Sequence, residues 1–316
     1  MRNMLNNCKP ISVIALIIVM SLITTISYAQ ILDKSKKEAH IKLSLNAYSF
    51  NTALMEKGTS EKPAFTLFDL LDWCADQNIE AIDITGYYMP SYPDVPTDEY
   101  IYELKRKAFK LGIAISGTGI RNNFASPDPK ERAADIEHAK EWIIVAEKLG
   151  APVIRLFAGA IPKGYENKWD EVADWMVDCF KECAIFGAEH GVIIGIQNHG
   201  GMLQTAEQCI KIVKAVDSQW AGIILDIGNF KVADPYVDIA AVIPYAVNWQ
   251  LKERVFGNAG EVKTDFSRLM RIIKNSNYRG YLPVETLERG GESYDPFVSV
   301  PEIMKEVKIA MNAEFK

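Results

Sequence analysis

The stretch DPKERAADIEHAKEWIIVAEKLGAPVIRLF, residues 128–157, predicts one helix followed by one buried strand, and this pair decides the fold. Asp128 and Pro129 are favoured where a helix begins, and Gly150 is favoured just after a helix ends. The apolar run that follows predicts a strand over residues 152–157. Helices that alternate with fully buried strands are typical of a parallel sheet, because each helix covers the sheet and returns the chain to its starting edge.

The same unit recurs from residue 41 onward, about every 34 residues. Thr66 is predicted to cap another helix, and Gly112 and Gly191 are predicted to end two more. Eight strands are expected, over residues 41–46, 79–85, 112–117, 152–157, 191–196, 221–226, 246–251 and 281–286. No Pro/Ser-rich linker divides the chain, and no glycine-rich phosphate turn follows the first strand. The pattern therefore favours a single closed (β/α)8 TIM barrel of the α/β class over two domains or an open doubly wound sheet.

Composition limits the class of protein. Of the 316 residues, 48% are hydrophobic and 24% are charged, which is typical of a folded protein with a large core and excludes disordered and collagen-like classes. The 35 Lys and Arg residues are outnumbered by 41 Asp and Glu residues, so the net charge is −6. Because this chain offers no basic face to neutralise phosphates, nucleic acid is not expected as a partner.

The amino-terminal segment has the pattern of a secretory signal peptide. Two basic residues precede an apolar run over residues 11–26, and the small residues that follow predict cleavage between Ala29 and Gln30. The run is shorter than the roughly 20 residues that span a bilayer, so cleavage is favoured over an uncleaved membrane anchor. We therefore expect a signal peptide over residues 1–29, a barrel domain over residues 30–316, a periplasmic or secreted location, and no stable membrane insertion after cleavage.

The cysteines of the mature chain are expected to be free thiols. They are Cys74, Cys179, Cys183 and Cys209. Each lies in an apolar helical stretch, and none of the spacings matches a zinc-binding pair. An exported protein can hold disulfides, but burial of unpaired thiols is the favoured interpretation of these surroundings.

Polar side chains follow the carboxyl end of every predicted strand, where TIM barrels build their active sites. If Asp226 and Glu285 point inward with Gln197 and Gln250, four oxygen donors meet at one point. Two carboxylates and two amide oxygens would suit a hard divalent cation, Mn²⁺ or Mg²⁺, with other divalent ions left open. Any one of these residues alone is better explained as a hydrogen-bonded group at the barrel mouth. The set favours a functional site, because burying so many polar groups is costly.

Other strand-end residues are candidates for catalysis or substrate binding. Arg155 lies in the otherwise apolar fourth strand, and Lys252 shares a face of the seventh strand with Gln250. His199 follows the fifth strand, and Tyr87 could stack on the face of a sugar ring. The candidates for substrate binding are Arg155, Asn229, Asp83, Tyr87 and Arg121.

Several blocks of sequence, in order, carry a resemblance to a known family. They are LSLNAYSF (43–50), DITGYYMP (83–90), SGTGIRNNF (116–124), VIRLFAG (153–159), QNHGG (197–201), LDIGNF (225–230), VNWQLK (247–252) and VE (284–285). With these blocks the chain resembles the sugar phosphate isomerase/epimerase family, the xylose isomerase-like TIM barrels, over essentially residues 41–312.

The resemblance implies one divalent metal, held by a Glu on strand five, an Asp on strand six, a His on strand seven and a Glu on strand eight. Asp226 and Glu285 match this pattern, whereas Gln197 replaces the strand-five Glu and Gln250 replaces the His. In the family's epimerases the two glutamates also move the proton on opposite faces of the substrate carbon, which Gln197 cannot do. The departure weakens the expected metal site and puts two-base epimerisation in doubt.

The sequence and the resemblance together imply an exported sugar isomerase/epimerase-like enzyme that transfers a proton next to the carbonyl of a sugar or keto-sugar, with metal assistance. The catalytic candidates are Glu285, His199 and Lys252. One alternative is a hydro-lyase or hydratase of 3-keto sugars, and another is a barrel that has lost catalysis and binds carbohydrate. DNA repair by a zinc endonuclease barrel is not expected, because that site needs several histidines at strand ends. A homo-oligomer is left open.

Overall fold

The computed structural model describes residues 38–58, 64–257, 260–288 and 293–315. The signal peptide predicted over residues 1–29 lies outside these ranges. Within them, no helix combines the length and the apolar character that a membrane span requires.

Eight parallel strands of the described ranges close into a barrel. They are β1 (His40–Asn46), β2 (Ala81–Thr85), β3 (Ala114–Gly119), β4 (Val153–Phe157), β5 (Ile193–Gln197), β6 (Ala221–Asp226), β7 (Ala246–Lys252) and β10 (Arg279–Glu285). Neighbouring strands follow the order β1-β10-β7-β6-β5-β4-β3-β2. The predicted (β/α)8 TIM barrel is therefore confirmed, and each predicted strand ends within two residues of an observed end.

Helices cover the outside of the barrel. They are α1 (Asn51–Met55), α2 (Leu67–Asp76), α3 (Asp98–Lys110), α4 (Pro129–Leu149), α5 (Trp169–His190), α6 (Ala206–Val216), α7 (Pro235–Val242), α8 (Phe266–Lys274) and α9 (Pro296–Glu314). The predicted caps are confirmed: Thr66 forms a capping box with Asp69, and the Asp128 side chain accepts from the backbone N–H of Lys130. Gly150 and Gly191 end α4 and α5 with φ of 83° and 67°, a left-handed conformation that a residue with a Cβ adopts at a cost.

An antiparallel hairpin lies between β7 and α8, and the sequence did not predict it. Its strands are β8 (Arg254–Gly257) and β9 (Gly260–Lys263). Directly after the hairpin, the Thr264 hydroxyl donates to the carbonyl oxygen of Lys252, at 2.8 Å. The hairpin thus begins after the carboxyl end of β7. The residue that follows its second strand is hydrogen-bonded to the last residue of β7.

The predicted free thiols are also confirmed within the described ranges. All four cysteines are buried and unpaired: Cys74, Cys179, Cys183 and Cys209. They lie on the inner faces of α2, α5 and α6, where a small apolar side chain fills the interface between helix and barrel.

Strand register brings the predicted site residues together. Gln250 of β7 is paired with Asp226 of β6, and Lys252 is paired with Glu285 of β10. Side chains alternate along a strand, so these residues point into the barrel while Trp249 faces the helices. All four paired side chains are therefore delivered to the same end of the interior.

A polar layer lies deeper in the barrel. The Asn248 amide donates to Asp83 Oδ2 at 3.1 Å and to the carbonyl oxygen of Ser116 at 3.2 Å. Gly117 leaves room for this contact, since a Cβ there would lie 2.5 Å from Asp83 Oδ2. Burial raises the pKa of Asp83 to about 7, although the charge of Arg155 opposes the shift. Because the folded protein holds this proton more tightly than the unfolded chain, ionisation of Asp83 destabilises the fold.

We expect Asp83→Asn to remove this pH-dependent cost. As the pH rises from about 4 to about 7, the unfolded chain has lost the Asp83 proton while the folded protein still holds it. The free energy of unfolding of the natural chain should therefore fall relative to that of the variant, by at most about 1.4 kcal/mol per pH unit. Urea unfolding at a series of pH values measures the difference, with Asp76→Asn on the exposed side of α2 as the control. Parallel curves for the natural chain and Asp83→Asn would contradict the expectation.

Candidate active site at the carboxyl end of the barrel

A cavity of about 740 Å³ opens at the carboxyl ends of the strands. This volume is in the range of small-molecule sites, and its position is where TIM barrels carry their active sites. Its lining includes Asn46, Tyr48, Thr85, Tyr87, Arg121, Asn122, Asn123, Arg155, Phe157, Gly159, Ala160, Gln197, His199, Gly200, Gly201, Gln250, Lys252, Glu285 and Leu287.

The ammonium group of Lys252 lies between the two predicted metal-ligating carboxylates. Its Nζ is 2.9 Å from Asp226 Oδ2 and 3.3 Å from Glu285 Oε1. The three side chains are 8%, 0% and 5% exposed. The two carboxylates thus meet around one cation, as the sequence predicted, but that cation is a lysine side chain.

The loop after β6 makes room for this lysine. A Cβ at Gly228 would lie 2.7 Å from Lys252 Cδ, so glycine allows the lysine side chain to pass directly over the loop. The carbonyl oxygen of Lys252 is in turn held by Thr264. Both contacts fix the path along which the ammonium group reaches Asp226.

Asp226 has its carboxylate oxygens filled by donors within the described ranges. Oδ2 accepts from Gln197 Nε2 at 2.8 Å, from Asn229 Nδ2 at 2.6 Å and from Lys252 Nζ at 2.9 Å. Oδ1 accepts from the backbone N–H of Gly228 at 3.0 Å. The side chain of Asn198 holds the Asp226 backbone on both sides, donating to its carbonyl oxygen and accepting from its N–H at 2.9 and 2.7 Å.

Gln197 presents its amide hydrogens to the other predicted ligands. Nε2 donates to Asp226 Oδ2 and also to Gln250 Oε1. The Gln197 Oε1 atom is buried and has no hydrogen-bond partner among the described residues. The sequence-based expectation was that both amides would offer oxygen atoms to a metal; in the structure Gln250 Oε1 accepts from Gln197 Nε2 instead, while Gln197 Oε1 is left without a partner among the described residues.

Charge and burial act in opposite directions on the central pair. Burial by itself lowers the pKa of Lys252, but the Asp226 and Glu285 carboxylates outweigh it and raise the pKa above the ordinary value for lysine. Burial raises the pKa of Glu285, against the lowering effect of the Lys252 charge. Lys252 is therefore held as an ammonium ion, and Glu285 is a carboxyl group whose basicity exceeds that of an exposed glutamate.

The arrangement does not fit a divalent cation. Such an ion would lie about 2.0 to 2.6 Å from carboxylate oxygens. Those of Asp226 and Glu285 are already within 2.9 and 3.3 Å of the Lys252 ammonium. An ion on the same two oxygens would lie no more than about 6 Å from that ammonium, where repulsion between the two cations is strong in a dry site. Among the described residues, no group of three or more His, Cys, Asp or Glu side chains is placed to hold a metal ion. The predicted ligands Gln197, Asp226, Gln250 and Glu285 are brought together, but around a different cation.

One wall of the cavity carries arginine against aromatic rings. Arg155 Nη2 donates to the Tyr87 hydroxyl at 2.5 Å, and its Nη1 donates to the carbonyl oxygen of Ile120. The Arg155 guanidinium also lies over the Phe157 ring, 4.0 Å from its centroid. The guanidinium group of Arg121 lies over the ring of Tyr87, with its Cζ 4.5 Å from the ring centroid. The wall is thus a cationic and aromatic surface with Arg155 fixed in place.

The remaining predicted site residues differ in their positions. His199 lies at the exposed rim, with its ring centroid 4.8 Å from that of Phe157. Asn229 and Asp83 are not part of the cavity lining: Asn229 donates to Asp226, and Asp83 lies in the deeper polar layer. Asp83 is held by Asn248 in the deeper layer and the half-buried Asn229 is held by Asp226, so their contact with a substrate stays a prediction.

Sequence reasoning missed three residues that shape the site. Phe157 and Leu287 line the cavity, but an apolar residue at a strand end gives no signal that separates it from core. Asn198 fixes the Asp226 backbone. Its place directly after Gln197, in the QNHGG block, was a signal that could have been used, because alternation points it away from the cavity, where an amide must find hydrogen-bond partners in the protein.

Comparisons with known proteins agree with the architecture. The model of the xylose isomerase-like TIM barrel family matches residues 71–307. An uncharacterized protein of Methanocaldococcus jannaschii is 24% identical over 258 residues, which are 76% of this chain and 84% of that protein.

Solved structures with the same fold include sugar epimerases. A D-psicose 3-epimerase from Clostridium cellulolyticum H10 superposes with a TM-score of 0.68 at 15% identity, covering 85% of this chain and 99% of that one. A 3-keto-D-glucoside 4-epimerase from E. coli gives 0.65 at 11% identity, covering 86% and 100%. These identities establish a shared fold. The family match extends over most of the barrel, and the chain belongs to the xylose isomerase-like TIM barrel family.

Proposed function

We propose that this protein is a sugar isomerase/epimerase-like enzyme that moves a proton on the carbon next to the carbonyl of a sugar or keto-sugar. The observation that carries the proposal is the buried pair of Glu285 and Lys252 on the floor of the 740 Å³ cavity. Removing a proton beside a carbonyl requires a base, and it requires a positive group where negative charge develops on the oxygen. These two side chains supply both.

Each residue of the floor has a role in this chemistry. Glu285 accepts the proton from the carbon, and the electron pair of the C–H bond moves onto the carbonyl oxygen to form an enolate. The Lys252 ammonium donates a hydrogen bond to that oxygen as its charge grows. A proton then passes from the hydroxyl group of the deprotonated carbon to the enolate oxygen, and Glu285 gives its proton to the former carbonyl carbon, so that the carbonyl moves by one position and the sugar is isomerised. The proposal contains no metal step, because the donors at this floor do not fit a divalent cation.

The wall residues bind the sugar. Tyr87 and Phe157 line the cavity beside the guanidinium groups of Arg121 and Arg155, and Arg155 holds the hydroxyl of Tyr87 in place. Arg121 and His199 lie closer to the rim, where they reach the substrate from the open side of the cavity. For epimerisation with a single carboxylate, Glu285 keeps the proton that it removed, and His199 or a water molecule at the rim donates a different proton to the opposite face of the same carbon.

The class of substrate is supported by chemistry and by the names of similar structures. The polar side chains of the lining, set among apolar surface, and the volume suit a free saccharide. The names D-psicose 3-epimerase and 3-keto-D-glucoside 4-epimerase describe proteins with this fold that act on ketoses and keto-sugars. Export to the periplasm or medium, proposed from residues 1–29 alone, also suits a free saccharide. A hydro-lyase of 3-keto sugars starts with the same proton removal and then loses a hydroxide from the next carbon.

Deuterium exchange tests the proposal without knowledge of the final product. We expect the natural protein to transfer deuterium from D2O into the carbon next to the carbonyl of at least one ketose or 3-keto-glucoside of a panel, as measured by NMR. Glu285→Gln should slow this exchange at least about 100-fold, because it removes the base. Glu288→Gln is the matched control, since Glu288 lies three residues further along the chain and binds Thr52 instead.

A barrel that only binds carbohydrate is the second candidate, and Gln197 favours it because the usual strand-five carboxylate is missing. The same exchange assay separates the two functions. If the natural protein binds a sugar but exchanges no hydrogen, and Gln197→Glu creates exchange, the binding function is supported and the proposed enzyme is not.

A further inference from the structure

We infer that the Lys252 ammonium is a built-in replacement for the divalent cation, so that this barrel works without a metal at its centre. The inference has two parts. The exclusion of the metal depends only on the arrangement of the side chains. The catalytic use of the ammonium in place of a metal ion rests on the proposed function.

Charge favours the ammonium over a divalent ion at this position. Asp226 and Glu285 carry two negative charges and lie almost entirely out of solvent. With Lys252 between them the net charge of the three groups is −1, and a divalent ion added to the same groups would make it +1. The added ion would also have to approach the ammonium at a distance where repulsion is strong in a dry site.

The glutamine at position 197 is consistent with a smaller positive charge. A glutamate there would be a third carboxylate within 2.8 Å of Asp226 Oδ2, and a single ammonium could not balance three. Gln197 instead donates an N–H to that oxygen. This hydrogen bond takes the place of one from water and stabilises the charged form of Asp226. A neutral residue at position 197 is therefore consistent with a single ammonium as the central cation.

Contacts along its stem and backbone hold Lys252 in one position. Its stem passes over Gly228 at a distance that leaves no room for a Cβ, and Thr264 holds its backbone. Because its Nζ lies 2.9 and 3.3 Å from two carboxylates, it serves as a hydrogen-bond donor and not as an amine that attacks the carbonyl. The position of this cation beside Glu285 is thus part of the folded structure and needs no loading step.

Manganese titration of the purified mature protein tests the first part. After dialysis against a chelator, free Mn²⁺ is followed by EPR as the natural protein, Asp226→Asn and Glu285→Gln are added in turn. We expect the natural protein to remove no more Mn²⁺ than the two variants do. Uptake of one Mn²⁺ per chain by the natural protein, lost in either variant, would overturn the inference.

A double variant that restores the glutamate and removes the lysine tests whether the Lys252 ammonium is what excludes the divalent ion. Gln197→Glu combined with Lys252→Met restores the third carboxylate and removes the cation, and this double variant should bind Mn²⁺ at least about tenfold more tightly than the natural protein. Gln197→Glu combined with Lys263→Met is the matched control, because Lys263 pairs with Glu306 on the surface. Thermal unfolding establishes that each variant is folded. A folded double variant with no gain over the control would contradict the inference, and if the variant does not fold, the titration of the natural protein decides.

The second part is tested on the substrate that shows deuterium exchange. The chelator-treated natural protein should keep its full exchange rate, added Mn²⁺ should not increase it, and Lys252→Met should lose at least about 100-fold. Exchange that disappears with the chelator and returns with Mn²⁺ would overturn the catalytic role of the ammonium. An absence of exchange on every substrate would refute the proposed function, while the manganese titration would still decide whether the site excludes the metal.

Discussion

The buried carboxylates of Asp226 and Glu285 need a positive charge beside them, and the ammonium group of Lys252 supplies it. Two unpaired carboxylates at this depth would either take up protons or destabilise the fold by several kcal/mol. The requirement explains the surrounding details. Gly228 makes way for the lysine stem, Gln197 directs its N–H groups toward Asp226, and Asn198 fixes the strand from which that carboxylate projects.

The fold could be predicted because each strand and helix carries its own local signal. The strand over residues 221–226 has the predicted bounds, since a buried apolar run ends there at a polar residue. The third strand begins two residues later than expected, because Gly112 takes a φ of 71° and belongs to the end of α3. The hairpin before α8 was missed because its second strand is exposed along its length and therefore lacks the alternation that predicts burial.

The sequence predicted which side chains lie together in the site, but it did not predict the contacts among them. Alternation along β7 placed Lys252 beside Gln250, and the register with β10 then set it against Glu285. The sequence holds no information on which end of the Gln197 amide faces Asp226, because that depends on the donors that neighbouring strands supply. For the same reason it could not distinguish a metal from a lysine as the central cation, or show that Asp83 lies below the cavity floor.

An ammonium and a metal ion polarise a carbonyl in different ways, and the difference constrains the reaction. A divalent ion can bind two adjacent oxygens of a sugar at once, whereas an ammonium directs one N–H bond to one oxygen. Here the donor and Glu285 Oε1 are 3.3 Å apart, so a carbonyl oxygen bound to Lys252 brings its own neighbouring carbon to the carboxylate. In the proposed reaction, this spacing favours removal of the proton directly next to the carbonyl, and the rim residues would determine the face on which a proton is added.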